Sequence, residues 1–409
     1  MLEQENHHIP LGILFAGWLL GFSMFSPMFC VSPITHILKE QLLLNHTQIG
    51  LLFSAPILMI VAFAIPAGII SDKIGVRKAA GIGVIILAIG ALLRGIAGSA
   101  YSLLAFTFIY GAGFGWCYPN LTKLASDYIP KQKAGMAMGI ISTGILGGCG
   151  VALAITTPII LPLVNTYQGV FSIWGIAPVA AAIVWWIVVK KPQGSVQLET
   201  FKERRVSFRG LMRYRQIWIL TVIFILHNIF FYTWSGWAPT LLMQKQATPE
   251  MAGLLTSLTI WAGIPAGLFM PRLSYKLGLR KPFLWIPAIA LTGAAFSAQA
   301  ISLEMSWAIT VVIGIAIMAQ FPTILALPVE MVSKEEVGAA SGLLISIGYI
   351  GGVIGPLIGG RILDITGSLN FALLILAGAS IAIVCMTFML RETGSTKKLV
   401  ISKGFKKDT

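Results

Sequence analysis

Long apolar runs recur along this chain and constrain its fold more than any other feature. Twelve segments, at 10–36, 48–72, 79–98, 102–126, 135–161, 168–189, 217–242, 252–273, 283–301, 306–329, 338–362 and 370–390, are dominated by apolar side chains. A helix of about 20 residues is long enough to cross a hydrocarbon layer of about 30 Å. Inside that layer each backbone N–H and C=O must be satisfied without water, which a helix does within its own segment. The expected fold class is therefore an all-α membrane protein with twelve transmembrane helices. With 56% of its 409 residues hydrophobic and 11% charged, the chain is not composed like a soluble domain.

The net charge of +14 raises the question of nucleic acid. It answers better to the rule that Lys and Arg flank membrane helices on the cytoplasmic side. With both termini inside, only Lys39, Arg94, Lys245 and Arg361 fall on the outer side, and the other 25 of 29 bases face the cytoplasm. The charge is thus read as orientation in the cytoplasmic membrane, with the bilayer and no nucleic acid as partner. The densest basic stretch holds Lys190, Lys191, Lys202, Arg204, Arg205, Arg209, Arg213 and Arg215. It divides the chain into a six-helix bundle over 1–189, a basic cytoplasmic linker over 190–216, a second bundle over 217–390 and a tail over 391–409.

The amino terminus MLEQENHHIP has no basic region before the first apolar run, so no cleaved signal peptide is expected. Cys30, Cys117, Cys149 and Cys385 lie inside apolar runs without CxxC spacing and read as small core side chains. Neither disulfide, metal nor cofactor is expected. The five histidines show no HxxH or HExxH spacing, which argues against a metalloenzyme.

The two halves repeat each other. Gly111, Pro119, Asp127, Gly135 and Gly139 recur as Gly314, Pro322, Glu330, Gly338 and Gly342, each displaced by 203 positions. The same displacement carries GLLFS at Gly50 to GLLTS at Gly253 and GVRK at Gly75 to GLRK at Gly278. The PAG at Pro66, however, maps to the PAG at Pro265 with a shift of 199, which predicts one extra turn at the inner end of the eighth helix.

Residues 68–78, GIISDKIGVRK, follow the second apolar run, with Gly68, Asp72, Lys73, Gly75, Arg77 and Lys78 at fixed spacing. A two-residue loop needs glycine to turn, the bases hold it in the cytoplasm, and a carboxylate is favoured near a helix N-terminus. This stretch resembles the signature loop of the major facilitator superfamily, and the resemblance extends over the whole chain. It implies two pseudo-symmetric six-helix bundles with a substrate site between them near the membrane midplane, and transport by alternating access. It also implies that Asp72 meets the start of the eleventh helix, near Gly338, and latches an inner gate. In the second half Tyr275 replaces the acid, so a weaker latch is expected there.

A second signature, GGVIGPLIGG, places Gly351, Gly355, Pro356, Gly359 and Gly360 on the eleventh helix. Small residues four apart allow close helix contact, and the proline is expected to bend the helix.

Ionisable groups inside a membrane are candidates for function. No Asp or Glu lies near the middle of any run, and His227 is the central titratable residue. It is read either as a proton-coupling group or as a neutral hydrogen-bonding core residue. Ser23, Ser26, Trp116, Tyr118, Asn120, His227, Asn228, Tyr232, Trp234 and Gln320 fall on the helices that line the cavity in this fold, and are the candidate substrate contacts. Arg94 and Arg272, near helix ends, are read as snorkelling to headgroups.

Segments 92–115, 234–258 and 266–281 resemble the cyanate/2-nitroimidazole permease branch, although Ser23 and Ser26 stand in the region where that branch carries Asn-x-Arg. The expected activity is secondary transport of a small organic solute, a monoanion or a polarised neutral compound, by a monomer, with a coupling proton or ion as further partner. A drug exporter is the nearest alternative, and a non-transporting membrane sensor the alternative from another class.

Overall fold

A computed structural model describes residues 10–190, 213–333 and 336–394. Among them are twelve helices long and apolar enough to cross a membrane: α1 (Leu11–Leu42), α2 (His46–Ile74), α3 (Val76–Arg94), α4 (Ala100–Tyr128), α5 (Lys133–Val164), α6 (Tyr167–Val188), α7 (Arg215–Gln244), α8 (Pro249–Leu277), α9 (Pro282–Ala300), α10 (Leu303–Ala326), α11 (Val337–Thr366) and α12 (Asn370–Met389). Most of the expected linker, 191–212, and of the tail, 395–409, lies outside the described residues.

The chain separates into two compact units, Met1–Glu199 and Thr200–Thr409. In the first, α1 packs on α5 and α6, α2 on α4, and α3 on α4 and α6. In the second, α7 packs on α11 and α12, α8 on α10, and α9 on α10 and α12. The same neighbours recur because the same small residues recur. A Cβ on Gly111 would stand 3.1 Å from Pro56 Cα, and one on Gly314 would stand 2.9 Å from Thr259 Cα, so the α2–α4 and α8–α10 contacts correspond. Gly148 against the Phe22 carbonyl and Gly351 against the Ile225 carbonyl correspond in the same way, at 2.6 and 2.1 Å. Glycine removes the atom that would otherwise hold the backbones apart.

Helix starts repeat as well. The Asn45 side chain accepts from Gln48 N at 2.8 Å and Gln48 Oε1 accepts from Asn45 N at 3.0 Å, a reciprocal cap on α2. At the equivalent start of α8, Thr248 Oγ1 accepts from Met251 N at 3.3 Å, with Pro249 in the first helical position.

Four expectations change. α2 and α8 are both 29 residues long, so α8 carries no extra turn. α9 instead begins three residues later than α3: Leu279, Arg280 and Lys281, the counterparts of Val76, Arg77 and Lys78, stand outside it in the turn Gly278–Lys281, against the single Gly75 between α2 and α3. The expected two-residue turn there is thus one residue, Gly75, at φ +83°, a conformation glycine adopts without strain. The break in α11 falls at Tyr349, two turns before Pro356, and the helix runs on through the proline. Finally, Cys30, Cys117 and Cys149 are buried as expected, but Cys385 is exposed on α12, in the position of a lipid-facing side chain rather than a core one.

Candidate functional site

The polar groups expected in the helix centres divide between the two units, and each set is described within its own unit. In the first, Ser23 is buried on α1 with its hydroxyl turned back on Leu20 O at 2.9 Å. Ser26, one turn later, is fully buried with no partner for Oγ. On α4 the Trp116 indole donates to Ala79 O of α3 at 2.9 Å, so its polar atom ties two helices together. Asn120 donates from Nδ2 to Trp116 O at 2.8 Å, while its Oδ1 is buried without a partner. Tyr118 lies half-buried, stacked on Phe114 at 6.4 Å. Ser26 Oγ and Asn120 Oδ1 are therefore the groups of this set with unused hydrogen-bonding capacity, and a buried polar atom in that condition is costly.

In the second unit the sequence candidates converge directly. His227 of α7 and Gln320 of α10 are 1% and 0% exposed, with Nδ1 and Oε1 3.1 Å apart. Gln320 Nε2 donates in turn to Leu284 O of α9 at 2.7 Å. The His227 ring is offset-stacked on Phe224 and Phe321, at 6.2 and 6.0 Å. Those two rings are 6.1 Å from each other, which closes a triangle around the imidazole. Asn228 donates to Gly348 O at 3.1 Å and Trp234 to Thr259 Oγ1 at 3.0 Å, both helix-to-helix ties. Tyr232 is 2% exposed, against Phe231 and Tyr349 at 4.9 and 6.4 Å.

The polar chain from His227 to Leu284 breaks the internal repeat. At the positions 203 earlier stand Met24 and Cys117: the Cys117 thiol reaches the Ala80 carbonyl of α3 at 3.8 Å, but Met24 has no donor to join it as His227 joins Gln320. The two units share packing residues and differ where the second one carries chemistry.

The gating candidates also find partners. Lys123 of α4 forms an ion pair with Asp72 and donates from Nζ to Gly68 O at 3.0 Å, so one ammonium holds both residues. The Arg77 guanidinium lies over the Trp186 ring at 5.4 Å and donates to Trp186 O at 3.4 Å. Lys73 and Lys78 are exposed beside Gly75. In the second unit, where Tyr275 stands in place of the acid, Arg280 pairs with Glu330, with side chains 13% and 18% exposed. The ion pair of the first unit, Lys123 with Asp72, joins other positions of the repeat and is 27% and 72% exposed. On α11, Gly351, Gly355 and Gly359 form the seam against α7, where Cβ atoms would meet Ile225 O, Thr233 Oγ1 and Trp237 at 2.1, 2.4 and 2.7 Å. Pro356 O accepts from the Trp237 indole at 3.0 Å, and Gly360 is buried beside it.

Arg94 overturns its expected role. It does not snorkel but is 1% exposed, donating from Nη1 to Pro27 O at 2.7 Å. Its guanidinium lies 4.1 Å from the Phe171 ring and 5.2 Å from the Tyr110 ring. Pro27 sits near the end of the first helical stretch of α1, where carbonyls lack helical donors, and Arg94 supplies one. Aromatic faces do the work that headgroups would have done. Sequence reading also passed over Thr233, whose buried Oγ1 has no partner. The signal was available, since it is a small polar residue in the middle of the run that also holds His227 and Tyr232.

Twelve membrane-length helices in two equivalent sets of six, each with buried polar and aromatic groups in its helix centres, define a multi-pass integral membrane protein built as a transporter. The chain belongs to the Major Facilitator Superfamily, whose family model matches residues 14–247 and again 238–407. It is similar to a hexuronate transporter of Bacillus subtilis (strain 168), 22% identical over 404 residues, covering 90% of this chain and 92% of that one. It is similar also to the cyanate transport protein CynX of Escherichia coli (strain K12), 23% identical over 352 residues, covering 86% and 89%. Among solved structures, a D-xylose–proton symporter superposes with a TM-score of 0.79 at 14% identity, covering 94% of this chain and 99% of that one, which shows the shared fold. The chain is thus a transporter of this superfamily and not an enzyme.

Proposed function

We propose that this protein carries a small organic solute, a monoanion or a polarised neutral compound, across the cytoplasmic membrane by alternating access, with both termini in the cytoplasm. The observation that carries this reading is the His227–Gln320 pair, a buried neutral polar device with no carboxylate beside it in the described helix centres. A cavity built for lipophilic cations would favour a buried acid, whereas an imidazole and amides suit a solute that is anionic or donates a hydrogen bond. The names of the relatives point the same way, since hexuronate and cyanate are both small anions.

Ser26, Asn120, His227, Asn228, Tyr232 and Gln320 are the contacts this reading favours. Trp116 and Trp234 contribute ring surface, their N–H groups being committed to neighbouring helices. The charged turn at Asp72–Lys78 and the glycine seam of α11 are the elements that change during the cycle.

The test is a thermal-shift titration of the purified protein with glucuronate, cyanate and bulky lipophilic cations, followed by flux in proteoliposomes. A ligand that prefers the folded state raises its stability by mass action. A dose-dependent shift with a small anion and matching flux is expected; shifts confined to the bulky cations would overturn the reading.

A further inference from the structure

We propose that Nε2 of His227 is the atom at which the protein shares a proton with its solute, so that a weak-acid monoanion crosses together with one proton. Gln320 is the positioning residue that makes this atom available. The proposal rests on the transport reading above and deepens it.

The hydrogen bonds decide the tautomer. The Leu284 carbonyl only accepts, so the group 2.7 Å from it is the Gln320 amide nitrogen. The amide oxygen then faces His227 Nδ1 at 3.1 Å, and it too only accepts. The imidazole proton therefore sits on Nδ1, and Nε2 presents a bare lone pair. Nε2 has no hydrogen-bond partner among the described residues. Phe224 and Phe321 fix the ring by stacking but offer it no polar group.

Such a nitrogen couples two ligands through elementary electrostatics. An imidazolium buried against phenyl rings with no anion is strongly disfavoured, and an anion brought against a lone pair is repelled. Together they are satisfied, as N–H⁺···X⁻ or as N···H–X, which contain the same atoms and the same net charge. Only an N–H bond forms on loading and breaks on release; the proton comes from one side of the membrane and leaves on the other. Solute and proton load as a unit, and the charge moved is zero.

No fixed charge competes in the surroundings. The titratable ring in contact with the cluster is Tyr349, 5.6 Å from Phe224. Of the helices packed on α7, α8 carries Glu250, Arg272, Tyr275 and Lys276, α10 carries Glu304, and α11 carries Arg361 and Asp364, all within two turns of a helix end. Glu330 follows α10 and is taken by Arg280, and α12 offers only the exposed Cys385. In the first unit the equivalent positions, Met24 and Cys117, provide no second proton site.

The test has two arms. In the first, ¹⁵N-histidine spectra of the purified full chain, assigned by difference with His227→Gln, report the tautomer without any ligand. An Nδ1–H signal is expected, and an Nε2–H signal would overturn the proposal whatever is transported. In the second, proteoliposomes containing a pH-sensitive dye receive a gradient of glucuronate or cyanate. Wild-type uptake is expected to acidify the lumen and to ignore an imposed membrane potential. His227→Gln removes the acidification, and Gln320→Glu displaces the pH profile of uptake upward by about one unit or more, since a carboxylate favours the charged ring. Uptake driven by potential without acidification, or an unshifted profile in Gln320→Glu, would refute proton sharing at His227. Absence of wild-type flux with both probes would count against the solute reading instead, and the spectra would still decide the tautomer.

Discussion

Arg280 grips Glu330 with two parallel hydrogen bonds, 3.1 Å from Nε to Oε2 and 2.5 Å from Nη2 to Oε1. The same acid accepts from Thr393 at 2.6 Å, and Glu392 accepts from the backbone N–H groups of Arg280 and Lys281 at 2.7 and 3.1 Å. The segment after α12 is thereby fastened to the turn between α8 and α9. Planar fork-to-carboxylate geometry gives strength and direction that a point charge lacks. Glu330→Gln is expected to destabilise the folded protein by about 2 kcal/mol, and Arg280→Lys by somewhat less. Thermal denaturation in detergent checks both; unchanged melting would show the pair to be idle.

The opposite outcome is expected at Asp72. Its pair with Lys123 is largely exposed, at 72% for the acid, and an exposed pair contributes about 1 kcal/mol or less. Asp72→Asn should therefore leave melting nearly unchanged while slowing uptake. Equal uptake at equal expression would remove Asp72 from the gating machinery.

Arg94 joins α3 to α1, α4 and α6 through Pro27, Tyr110 and Phe171. Arg94→Ala leaves a cavity and removes the stronger donor to the Pro27 carbonyl, which keeps only the Cys30 thiol at 3.3 Å, an expected loss of about 3 kcal/mol. Arg94→Met keeps the volume and loses only the hydrogen bond and the cation–π contacts, so about half of that is expected. Comparing melting temperatures of the two variants separates packing from polar contribution.

Glycine positions divide sharply by their surroundings. At Gly351 a Cβ would meet the Ile225 carbonyl at 2.1 Å, and backbone cannot step aside as a side chain does. Gly351→Ala is expected to abolish folded protein in size-exclusion chromatography. At Gly293, in mid-helix on α9, a Cβ meets nothing within 4 Å, so Gly293→Ala should be neutral or gain up to about 1 kcal/mol.

Alkaline pH provides a further check at Tyr214, just before α7. Its hydroxyl donates to Glu336 at 2.7 Å, and this hydrogen bond, with the neighbouring carboxylate charge, raises its pKa above the usual 10.0. The folded form holds the proton longer than the unfolded one, so the stabilisation is complete below pH 10 and is lost as pH rises beyond it. Tyr214→Phe should flatten that part of the alkaline stability profile, measured by melting between neutral and strongly basic buffer.

Much of this could be read from the order of residues. The span count follows from apolar length alone, because a bilayer admits few alternatives to a helix of about 20 residues. The repeat was visible as a displacement of 203, and the structure extends it to contacts such as Gly148 on Phe22 and Gly351 on Ile225. His227, Asn228 and Gln320 stood out as polar residues in apolar surroundings. Arg94 was misjudged because position near a helix end does not reveal whether rings from two other helices and a carbonyl from a third close over it. The PAG at Pro265 misled because a short match can fall on helices of equal length without being equivalent.

The sequence by itself determined the environment of this protein, the number of its helices and the twofold repetition of its plan, all consequences of local hydropathy and spacing. Only the tertiary structure decided which polar atoms are already bonded: Trp116 to Ala79, Glu330 to Arg280, and Gln320 to both His227 and Leu284. A hydrogen bond requires two groups within about 3 Å in a fixed orientation. Residues 93 positions apart meet that condition only when helices have packed, and the free nitrogen of His227 is defined by that meeting.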